Sequence, residues 1–375
     1  PYGTYELVLG VQIYSKFTLN TYDDQAIERL NLLSTKGDFT FISLSYDLKE
    51  GFHQIQSQNI IKYPTPLVEL TNYVKLIKLK RSGTLEIISR DLDPEEIYTS
   101  ILNHTKKTSL LPRISWNHQP SRESYHSHFQ KIHQHLLDGD IYEVNYCHCF
   151  EGKISSTGLS LDLFRSINQE APKPFSAFHA SSNREVLCFS PERFMLKGGS
   201  SILTQPIKGT IDEGTDEISE KIRSENMMIV DLCRNDLAQI SKTGTVKVPE
   251  LLGRHPFKNL HHIISTIQSE LRDDVQFSDI LRATFPMGSM TGAPKHSAMK
   301  IIEEQESFQR GIYSGALGYI DENGDFDLNV VIRTCIVLKP SHQVYLPVGG
   351  ALLFDSIEQE EYEETLQKIK FLQER

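Results

Sequence analysis

Residues 314–339, SGALGYIDENGDFDLNVVIRTCIVLK, carry two runs of alternating apolar side chains on either side of an Asn323-Gly324 pair. Such a pair favours a two-residue turn, because both residues tolerate positive φ angles. The stretch therefore predicts an antiparallel hairpin. Antiparallel strands are the starting point for the fold.

The rest of the chain interleaves strands with helices. Apolar residues recur at helical spacing in residues 121–139 and 216–240, and residues 356–375 place acids early and lysines late. No regular βαβ period and no glycine-rich turn from strand to helix is present. The pattern predicts a mixed α/β or α+β fold with large antiparallel sheets, and not a dinucleotide-binding fold.

The domain organisation follows from where the candidate reactive residues stand. Residues 1–110 hold short strand-like runs and no candidate site, and residues 104–124 are rich in turn formers. We therefore expect an N-terminal region over 1–110 and a catalytic region over 121–375. The two are expected to intertwine in one globular unit.

Composition and charge narrow the function. A net charge of -10 argues against nucleic acid or an anionic membrane as the main partner. There is no membrane-spanning apolar run and no signal segment, so the expected location is cytoplasmic. Five scattered cysteines read as reduced thiols. An anionic ligand would need locally concentrated cations or a metal ion.

Two clusters of metal-ligand side chains lack the spacing of a metal site. Cys147-His148-Cys149 has no second pair at zinc-ligand spacing. Four histidines lie in the helix over 121–139, but their spacings do not converge on one face, and a solvated face is the favoured interpretation. They are His126, His128, His133 and His135.

Lys208 stands in residues 202–214, ILTQPIKGTIDEG, where neither solubility nor core packing asks for a charge. A lysine is a nucleophile only as the neutral amine, so its pKa must fall from about 10.4 through burial or nearby positive charge. The flanking Pro206, Ile207 and Gly209 would supply burial and room for a ligand. The alternative is a lysine at a strand end whose ammonium reaches water.

Glu192 follows Ser190-Pro191 between two apolar stretches. This setting predicts a partly buried carboxyl with a raised pKa, which suits a general acid. An ion pair with Arg193, or a plain turn residue, is the alternative.

Carboxylates on two further helices could share one metal ion. Glu225 begins an apolar helical run, and Glu361, Glu363 and Glu364 cluster near the C-terminus. Mg²⁺ takes few protein ligands and keeps positions for water or substrate oxygens. The alternative is acids that complement the helix dipole at the surface.

Two glycine-containing stretches could approach an anion through backbone N–H groups. They are residues 285–299, FPMGSMTGAPKHSAM, and residues 347–356, PVGGALLFDS. Either could equally be an ordinary tight turn.

Each of these segments is a weak indication alone, but their order along the chain is specific to one enzyme family. The chain resembles the chorismate-utilising enzymes, the family of anthranilate, aminodeoxychorismate and isochorismate synthases, from about residue 121 to the C-terminus. The resemblance rests on SPERF, PIKGT, SEKIRSENMMIVDLCRNDL, HHIIS, FPMGSMTGAPKHSAMKII, RGIYSGALGYI, FDLNVVIRT and EYEETLQK. It implies two large antiparallel sheets packed together with helices outside.

The resemblance implies the catalytic roles. Lys208 is similar to a lysine of the aminodeoxychorismate synthase branch. That lysine is thought to attack ring carbon 2 of chorismate, and ammonia then attacks carbon 4 and releases the lysine. Anthranilate synthases usually have alanine there. Glu192 matches the acid that protonates the departing 4-hydroxyl, and His262 matches a histidine associated with pyruvate elimination in anthranilate synthase.

The resemblance also implies the binding residues. Glu225 and Glu364, with Glu361 beside them, match ligands of Mg²⁺. Groups expected to hold or border the substrate are Tyr313, Arg333, Gly349, Gly350, Lys368, Ser289 and Thr291.

Three features depart from the family pattern. Glu143 stands where relatives commonly have glutamine, or lysine in isochorismate synthases, and so argues against the isochorismate reaction. Met287 replaces a small residue and is expected to narrow the site. The tryptophan-sensing LLES pattern of regulated anthranilate synthases is not seen.

The sequence thus predicts an enzyme that aminates chorismate in 4-aminobenzoate and folate synthesis, with ammonia from a separate glutamine amidotransferase. Anthranilate synthase is the alternative activity. A non-catalytic chorismate-binding subunit is the alternative of another class, although it would have no use for an activated amine.

Overall fold

The computed structural model of the chain describes residues 4–34, 37–104, 111–212, 214, 217–257 and 260–373. The strands, in chain order, are β1 (Tyr5–Leu19), β2 (Thr40–Leu44), β3 (Val68–Lys80), β4 (Leu85–Ser89), β5 (Ile114–His118), β6 (Glu143–Ile154), β7 (Phe175–Ala180), β8 (Arg184–Ser190), β9 (Arg193–Gly198), β10 (Ser201–Gln205), β11 (Ile207–Asp212), β12 (Lys247–Phe257), β13 (Leu260–Glu270), β14 (Gly292–Ala293), β15 (Ala316–Ile320), β16 (Phe326–Asn329), β17 (Thr334–Leu338) and β18 (Gln343–Leu353).

The helices are α1 (Asp24–Leu33), α2 (Lys49–His53), α3 (Pro94–Leu102), α4 (Arg122–Leu137), α5 (Ser160–Glu170), α6 (Glu220–Ala238), α7 (Phe277–Thr284), α8 (Lys295–Gln305) and α9 (Glu358–Gln373). The three long helices predicted from periodicity and charge correspond to α4, α6 and α9. Within these described residues, no helix is long and apolar enough to span a membrane.

The strands form two antiparallel sheets, as the sequence predicted. The first has the order β1-β3-β2-β15-β16-β9-β10-β13-β11, with β4 on β3 and β12 on β13. The second has the order β14-β6-β18-β17-β8-β7, with β5 on β6. The main core contains side chains of both sheets, among them Leu44 and Met195 of the first and Cys147 and Ile336 of the second. The sheets therefore pack face to face.

Helices cover the outer surfaces. The second core cluster joins Phe150 and Leu346 of the second sheet to Leu163 of α5 and Ile369 of α9. A third cluster joins α4 and α8 to the start of β6. The predicted arrangement, two packed sheets with helices outside, is confirmed.

The predicted hairpin forms, but its loop is wider than two residues. Ile320 pairs with Phe326, and the Asp321 N–H donates to the Asp325 carbonyl at 2.7 Å. The Asp321 carboxylate accepts the N–H groups of Asn323 and Asp325 at 2.8 and 3.0 Å. These two bonds stabilise a connection over residues 321–325, in which Gly324 has φ +79°.

After the hairpin the chain changes sheets. β16 pairs with β9 in the first sheet, and β17 pairs with β8 and β18 in the second. Residues 330–333 make the crossing, and Arg333 adopts φ +51° there. This short segment therefore joins an interior strand of the first sheet to an interior strand of the second.

The first sheet takes strands from both of the expected regions, because β2 pairs with β15. Most of the turn-rich linker predicted over 104–124 forms defined structure, including β5 and the start of α4. Part of it, residues 105–110, lies outside the described residues. The division near residue 110 stays a prediction.

The cysteines are buried free thiols. Cys147 and Cys149 point from one face of β6 into the main core, which explains their spacing without a metal. In the described ranges, no group of three or more His, Cys, Asp or Glu side chains is placed to hold a metal ion. The prediction that the histidines of α4 form a solvated face is partly wrong. His128 is half-buried, and its ring stacks on Tyr146 with ring centroids 5.6 Å apart.

Candidate active site

Lys208 lies inside the protein and not at a solvated strand end. Its side chain is only 9% exposed, and its Nζ lies 2.5 Å from Oε1 of Glu143. Gly209 follows with φ +89°, and a Cβ there would lie 2.7 Å from the Ile222 side chain of α6. Glycine is thus required for β11 to approach α6 this closely.

Asn226 ties β11 to its neighbours. Its amide group donates to the Lys208 carbonyl at 2.8 Å, and its side-chain oxygen accepts from the Ser265 hydroxyl at 2.8 Å. Since Asn226 is fully buried on α6 and Ser265 lies on β13, three elements meet at the backbone of Lys208.

The prediction that Lys208 is a neutral amine in the resting protein is wrong. Burial lowers the pKa of Lys208, but the Glu143 carboxylate outweighs it, and Glu225 and Glu192 add to its effect. The pKa is therefore raised, and Lys208 rests as an ammonium. A buried lysine becomes neutral at ordinary pH only when no anion compensates its charge.

Glu143 is the site residue whose contact the sequence did not reveal. It begins β6, its side chain is fully buried, and its second oxygen, Oε2, has no hydrogen-bond partner among the described residues. Residues 292 and 293 pair with the start of β6 and enclose it. The only indication in the sequence was that Glu143 is a carboxylate at a position where related sequences commonly have the neutral amide glutamine.

Glu192 has the environment predicted for a general acid. It is buried and accepts a hydrogen bond from the Ser289 hydroxyl at 2.8 Å. Burial raises the pKa of its carboxyl to about 7, although Ser289 and Lys208 oppose this. Arg193, the alternative partner of Glu192, binds Asp327 at 2.9 and 3.0 Å.

His262 and Arg333 lie on the same side of the site. The His262 Nδ1 lies 3.1 Å from the Thr210 hydroxyl, and burial, aided by Arg333 and Lys173, lowers the pKa of His262 to about 4. The ring is therefore neutral at pH 7.

Arg333 is largely buried, and burial lowers its pKa against the attraction of Glu192 and Glu364. Within the part of the chain that the structure describes, no hydrogen bond or ion pair holds its guanidinium. Such a cation is available for an anionic ligand.

Tyr313, Gly349 and Lys368 meet around Cys147. Tyr313 is buried and hydrogen-bonded to the Cys147 thiol. The Lys368 ammonium donates to the Gly349 carbonyl at 3.0 Å and pairs with Glu364 at 2.7 Å. A Cβ at Gly349 would lie 2.5 Å from the Cys147 sulfur, so this glycine is required by strand packing.

Gly350 faces Tyr146 in the same ladder of β6 and β18. A Cβ there would make ordinary contacts of 3.6 Å or more. Packing alone therefore does not require a glycine at this position.

Ser289 and Thr291 lie on the short loop before β14. Ser289 contacts Glu192, as described above, and its carbonyl accepts from the Asn145 side chain at 3.2 Å. The Thr291 hydroxyl donates to the Met287 carbonyl at 3.2 Å and so stabilises the loop. Met287, expected to narrow the site, packs in the main core.

The carboxylates of α6 and α9 approach Lys208 from two directions. Burial raises the pKa of Glu225, and Glu143 and Glu361 raise it further against Lys208. Burial alone would raise the pKa of Glu364, but Lys368 leads several cations, Lys208 among them, that hold it below its ordinary value. Glu361 instead accepts from Ser356 at 2.8 Å and from Lys221 at 3.3 Å.

Glu225 and Glu364 offer the carboxylate oxygens that a divalent cation such as Mg²⁺ prefers. Burial is the main cause of the raised pKa of Glu225, with a smaller contribution from Glu143 and Glu361, and a nearby cation would favour its ionised form. Glu361 is held by Ser356 and Lys221, and Glu364 is held by Lys368 at 2.7 Å, so a cation would have to compete with a lysine at either position.

The comparisons with known proteins follow this geometry. Residues 9–374 match the family described as chorismate binding enzyme. The chain belongs to the chorismate binding enzyme family.

Three relatives in this family are aminodeoxychorismate synthase component 1 of Escherichia coli, of Klebsiella aerogenes and of Salmonella typhimurium. The chain is 35%, 39% and 34% identical to them, over 86% of its own length in each case and 74%, 74% and 73% of theirs. Anthranilate synthase component 1 of Haloferax volcanii is 31% identical over 76% of this chain and 58% of that protein.

Solved structures show the same family fold. Anthranilate synthase component I from Streptococcus pneumoniae superposes with a TM-score of 0.86, 21% identity, and coverage of 98% of this chain and 92% of that one. The isochorismate synthase MenF from Escherichia coli gives a TM-score of 0.73 at 15% identity, over 98% of this chain and 85% of that one.

Proposed function

We propose that the chain is the chorismate-aminating subunit of an aminodeoxychorismate synthase, converting chorismate and ammonia to 4-amino-4-deoxychorismate. The relatives named aminodeoxychorismate synthase component 1 support this activity. The observation that carries it is Lys208, a buried amine that Glu143, Glu225 and Glu192 face within one site. A subunit that only bound chorismate would not need such a group.

Lys208 acts as the nucleophile toward ring carbon 2 of chorismate. Its backbone is fixed by Asn226, and its side chain is shielded from water, so the amine approaches the ring with little freedom to lose. Ammonia then attacks carbon 4 and releases the lysine.

Glu192 acts as the general acid for the departing 4-hydroxyl. With a pKa of about 7, a large fraction of this carboxyl is protonated at neutral pH. The Ser289 hydroxyl orients it through their hydrogen bond. An acid with an ordinary carboxyl pKa would already have lost this proton.

Mg²⁺ is the proposed cofactor, with Glu225 and Glu364 as its protein ligands. When bound, it supplies positive charge opposite the ring carboxylate. Glu225 lies on α6 and Glu364 lies on α9, so each helix would contribute one ligand. Glu361 positions Lys221 in this arrangement.

Arg333, with Lys368 and Tyr313, is proposed to bind the enolpyruvyl carboxylate. The guanidinium lies near Glu192 and can form two parallel bonds to a carboxylate. His262, neutral at this position, borders the same side.

The ammonia is proposed to come from a separate glutamine amidotransferase, since the relatives are named component 1 and therefore have a partner component. Reduced, buried cysteines are compatible with the proposed cytoplasmic location.

Anthranilate synthase is the second candidate, because related chains such as that of Haloferax volcanii carry this name. A product assay separates the two activities. The protein is incubated with chorismate, Mg²⁺ and ammonium, and the products are followed by liquid chromatography with mass detection and by a pyruvate assay. We expect an aminated product that keeps its enolpyruvyl ether. Stoichiometric pyruvate release would overturn the proposal.

A further inference from the structure

We propose that Glu143 is the catalytic base that takes a proton from Lys208 and so creates the free amine. This inference rests on the proposed function, in which Lys208 is the nucleophile. It assigns a role to a residue at which this chain departs from the glutamine common in related sequences.

The geometry leaves one acceptor for the lysine proton. Nζ of Lys208 lies 2.5 Å from Oε1 of Glu143, and both side chains are shielded from solvent. No other acceptor contacts this Nζ among the described residues. Proton transfer along this bond needs no water and no movement of the backbone.

A structural ion pair would not be built this way. Oε2 of Glu143 is buried and lacks a hydrogen-bond partner in the described ranges. An unsatisfied buried carboxylate oxygen costs free energy, and a buried ion pair is often no more stable than apolar side chains of similar volume. By contrast, the buried Glu306 uses both of its oxygens on Arg310.

The resting charge on Lys208 makes an internal base necessary. Because the ammonium is stabilised by Glu143, it cannot attack a ring carbon until it loses a proton. The charged groups facing the pair are Glu192 just before β9, Glu225 on α6 and Glu364 on α9. Glu192 must keep its proton for the leaving group, and the other two are proposed to face Mg²⁺.

The first half-reaction balances as follows. The Lys208 ammonium gives one proton to the Glu143 carboxylate, and the nitrogen lone pair forms a bond to ring carbon 2. The ring π electrons shift as the bond from carbon 4 to oxygen breaks, and Glu192 gives its proton to the departing hydroxyl. The results are water, a charged secondary amine adduct, a neutral Glu143 and an ionised Glu192.

The second half-reaction restores the resting state. Ammonia forms a bond to carbon 4, the π electrons shift back, and the bond from carbon 2 to the lysine nitrogen breaks. Lys208 leaves as a neutral amine and takes back the proton from Glu143. The new ammonium of the product returns a proton to Glu192.

The test measures adduct formation without ammonia. Wild-type protein, Glu143→Gln and Glu143→Asp are mixed with chorismate and saturating Mg²⁺ between pH 6 and 9, and the rate of mass increase on the peptide containing Lys208 is recorded. Adduct formation depends on the protonation of Glu192 in every variant. Dividing the wild-type rate by the variant rate at each pH removes this common dependence. In Glu143→Gln only solvent can remove the proton from Lys208, so the rate of this variant should rise with pH. We therefore expect the wild-type rate divided by the Glu143→Gln rate to fall about tenfold per pH unit until the lysine of the variant is neutral.

The aspartate variant keeps a base, so its ratio to wild type should stay constant with pH even if its rate is lower. A constant ratio for Glu143→Gln as well would overturn the role of Glu143. Glu143→Met serves as a second neutral variant if the glutamine protein is unstable. Glu69→Gln is the matched control, since Glu69 is a buried, ion-paired glutamate of β3 outside the site.

Failure of the proposed function looks different. If wild-type protein forms no adduct and Lys208→Ala retains normal turnover, then Lys208 is not the nucleophile and Glu143 has no amine to activate. If the adduct forms in wild type and the ratio does not change with pH, only the role of Glu143 fails.

Discussion

At the scale of single residues, the site depends on two buried carboxyl groups that have different partners. Glu143 forms an ion pair with Lys208, whereas Glu192 contacts the Ser289 hydroxyl, and burial raises the pKa of Glu192 to about 7. Both are buried, so the difference comes from what each one contacts. This division allows one base and one acid to act on the same ring.

The pKa of Glu192 predicts a pH limit for turnover. Glu192 must be protonated to act, so activity attributed to this acid is present below pH 7 and is lost as the pH rises through about 7. Replacing it in Glu192→Gln should reduce turnover by about 10²- to 10⁴-fold and remove this limb of the pH profile. Steady-state assays from pH 6 to 9 check both effects.

The same substitution should stabilise the fold at high pH. The folded pKa of about 7 exceeds the ordinary value of 4.5, so wild-type stability falls as the pH rises from 4.5 through 7. Above pH 7 the buried charge costs about 3 kcal/mol, and Glu192→Gln avoids this cost. Thermal unfolding at pH 5 and pH 8 should show a gain at pH 8 alone. An equal effect at both values would contradict the raised pKa.

At the scale of secondary-structure elements, α6 connects the proposed metal site to the strand that carries Lys208. Its residues Glu225 and Asn226 are adjacent in sequence, and they reach the proposed metal site and the backbone of Lys208 respectively. A shift of α6 would therefore move the carboxylate and the lysine strand together.

Loss of the Asn226 side chain should loosen this connection. Asn226→Ala removes hydrogen bonds to the Lys208 carbonyl and the Ser265 hydroxyl and leaves both groups buried. We expect the free energy of unfolding to fall by about 2–4 kcal/mol, measured by urea denaturation. Asn235→Ala is the control, because Asn235 is exposed on the same helix. Equal losses in the two variants would contradict the proposed tie.

The elements were more predictable than the contacts between them. Periodicity, caps and turn residues act over a few neighbouring positions, so α4, α6, α9 and the hairpin around residues 321–325 could be predicted. The pair of Glu143 and Lys208 joins positions 65 apart, and no local pattern encodes it. The resemblance to related sequences predicted the other site residues, but it could not give the charge on Lys208. That charge depends on a neighbour which differs from the family pattern.

At the scale of the whole molecule, a buried ion pair connects the loop before β14, the start of β6 and the end of α8. Arg310 is almost fully buried and binds Glu306 through two nitrogens, and it also donates to the carbonyls of Met290 at 2.7 Å and Asn145 at 2.6 Å. Glu306 accepts in turn from the N–H of Cys147 at 2.8 Å. The backbone around the site is thereby fixed to the core.

Removing one partner of this pair should be costly. Arg310→Met leaves Glu306 buried without its cation, and we expect a loss of about 3–5 kcal/mol in unfolding free energy. The double variant Arg310→Met with Glu306→Gln should recover part of this loss, as measured by chemical denaturation. Arg234→Met is the matched control, because Arg234 forms an exposed pair with Asp231 and should cost less than about 1 kcal/mol. A double variant less stable than Arg310→Met would contradict this account.

The pairing of β2 with β15 has a consequence for how such a protein can be divided. β2 lies between β3 and β15, so the backbone groups along one side of β15 are satisfied by residues near the beginning of the chain. A gene fragment encoding only 121–375 would leave that side as a bare edge, a template for association with other chains. We therefore expect residues 121–375 expressed alone to associate or aggregate, because β15 would lack its partner strand β2.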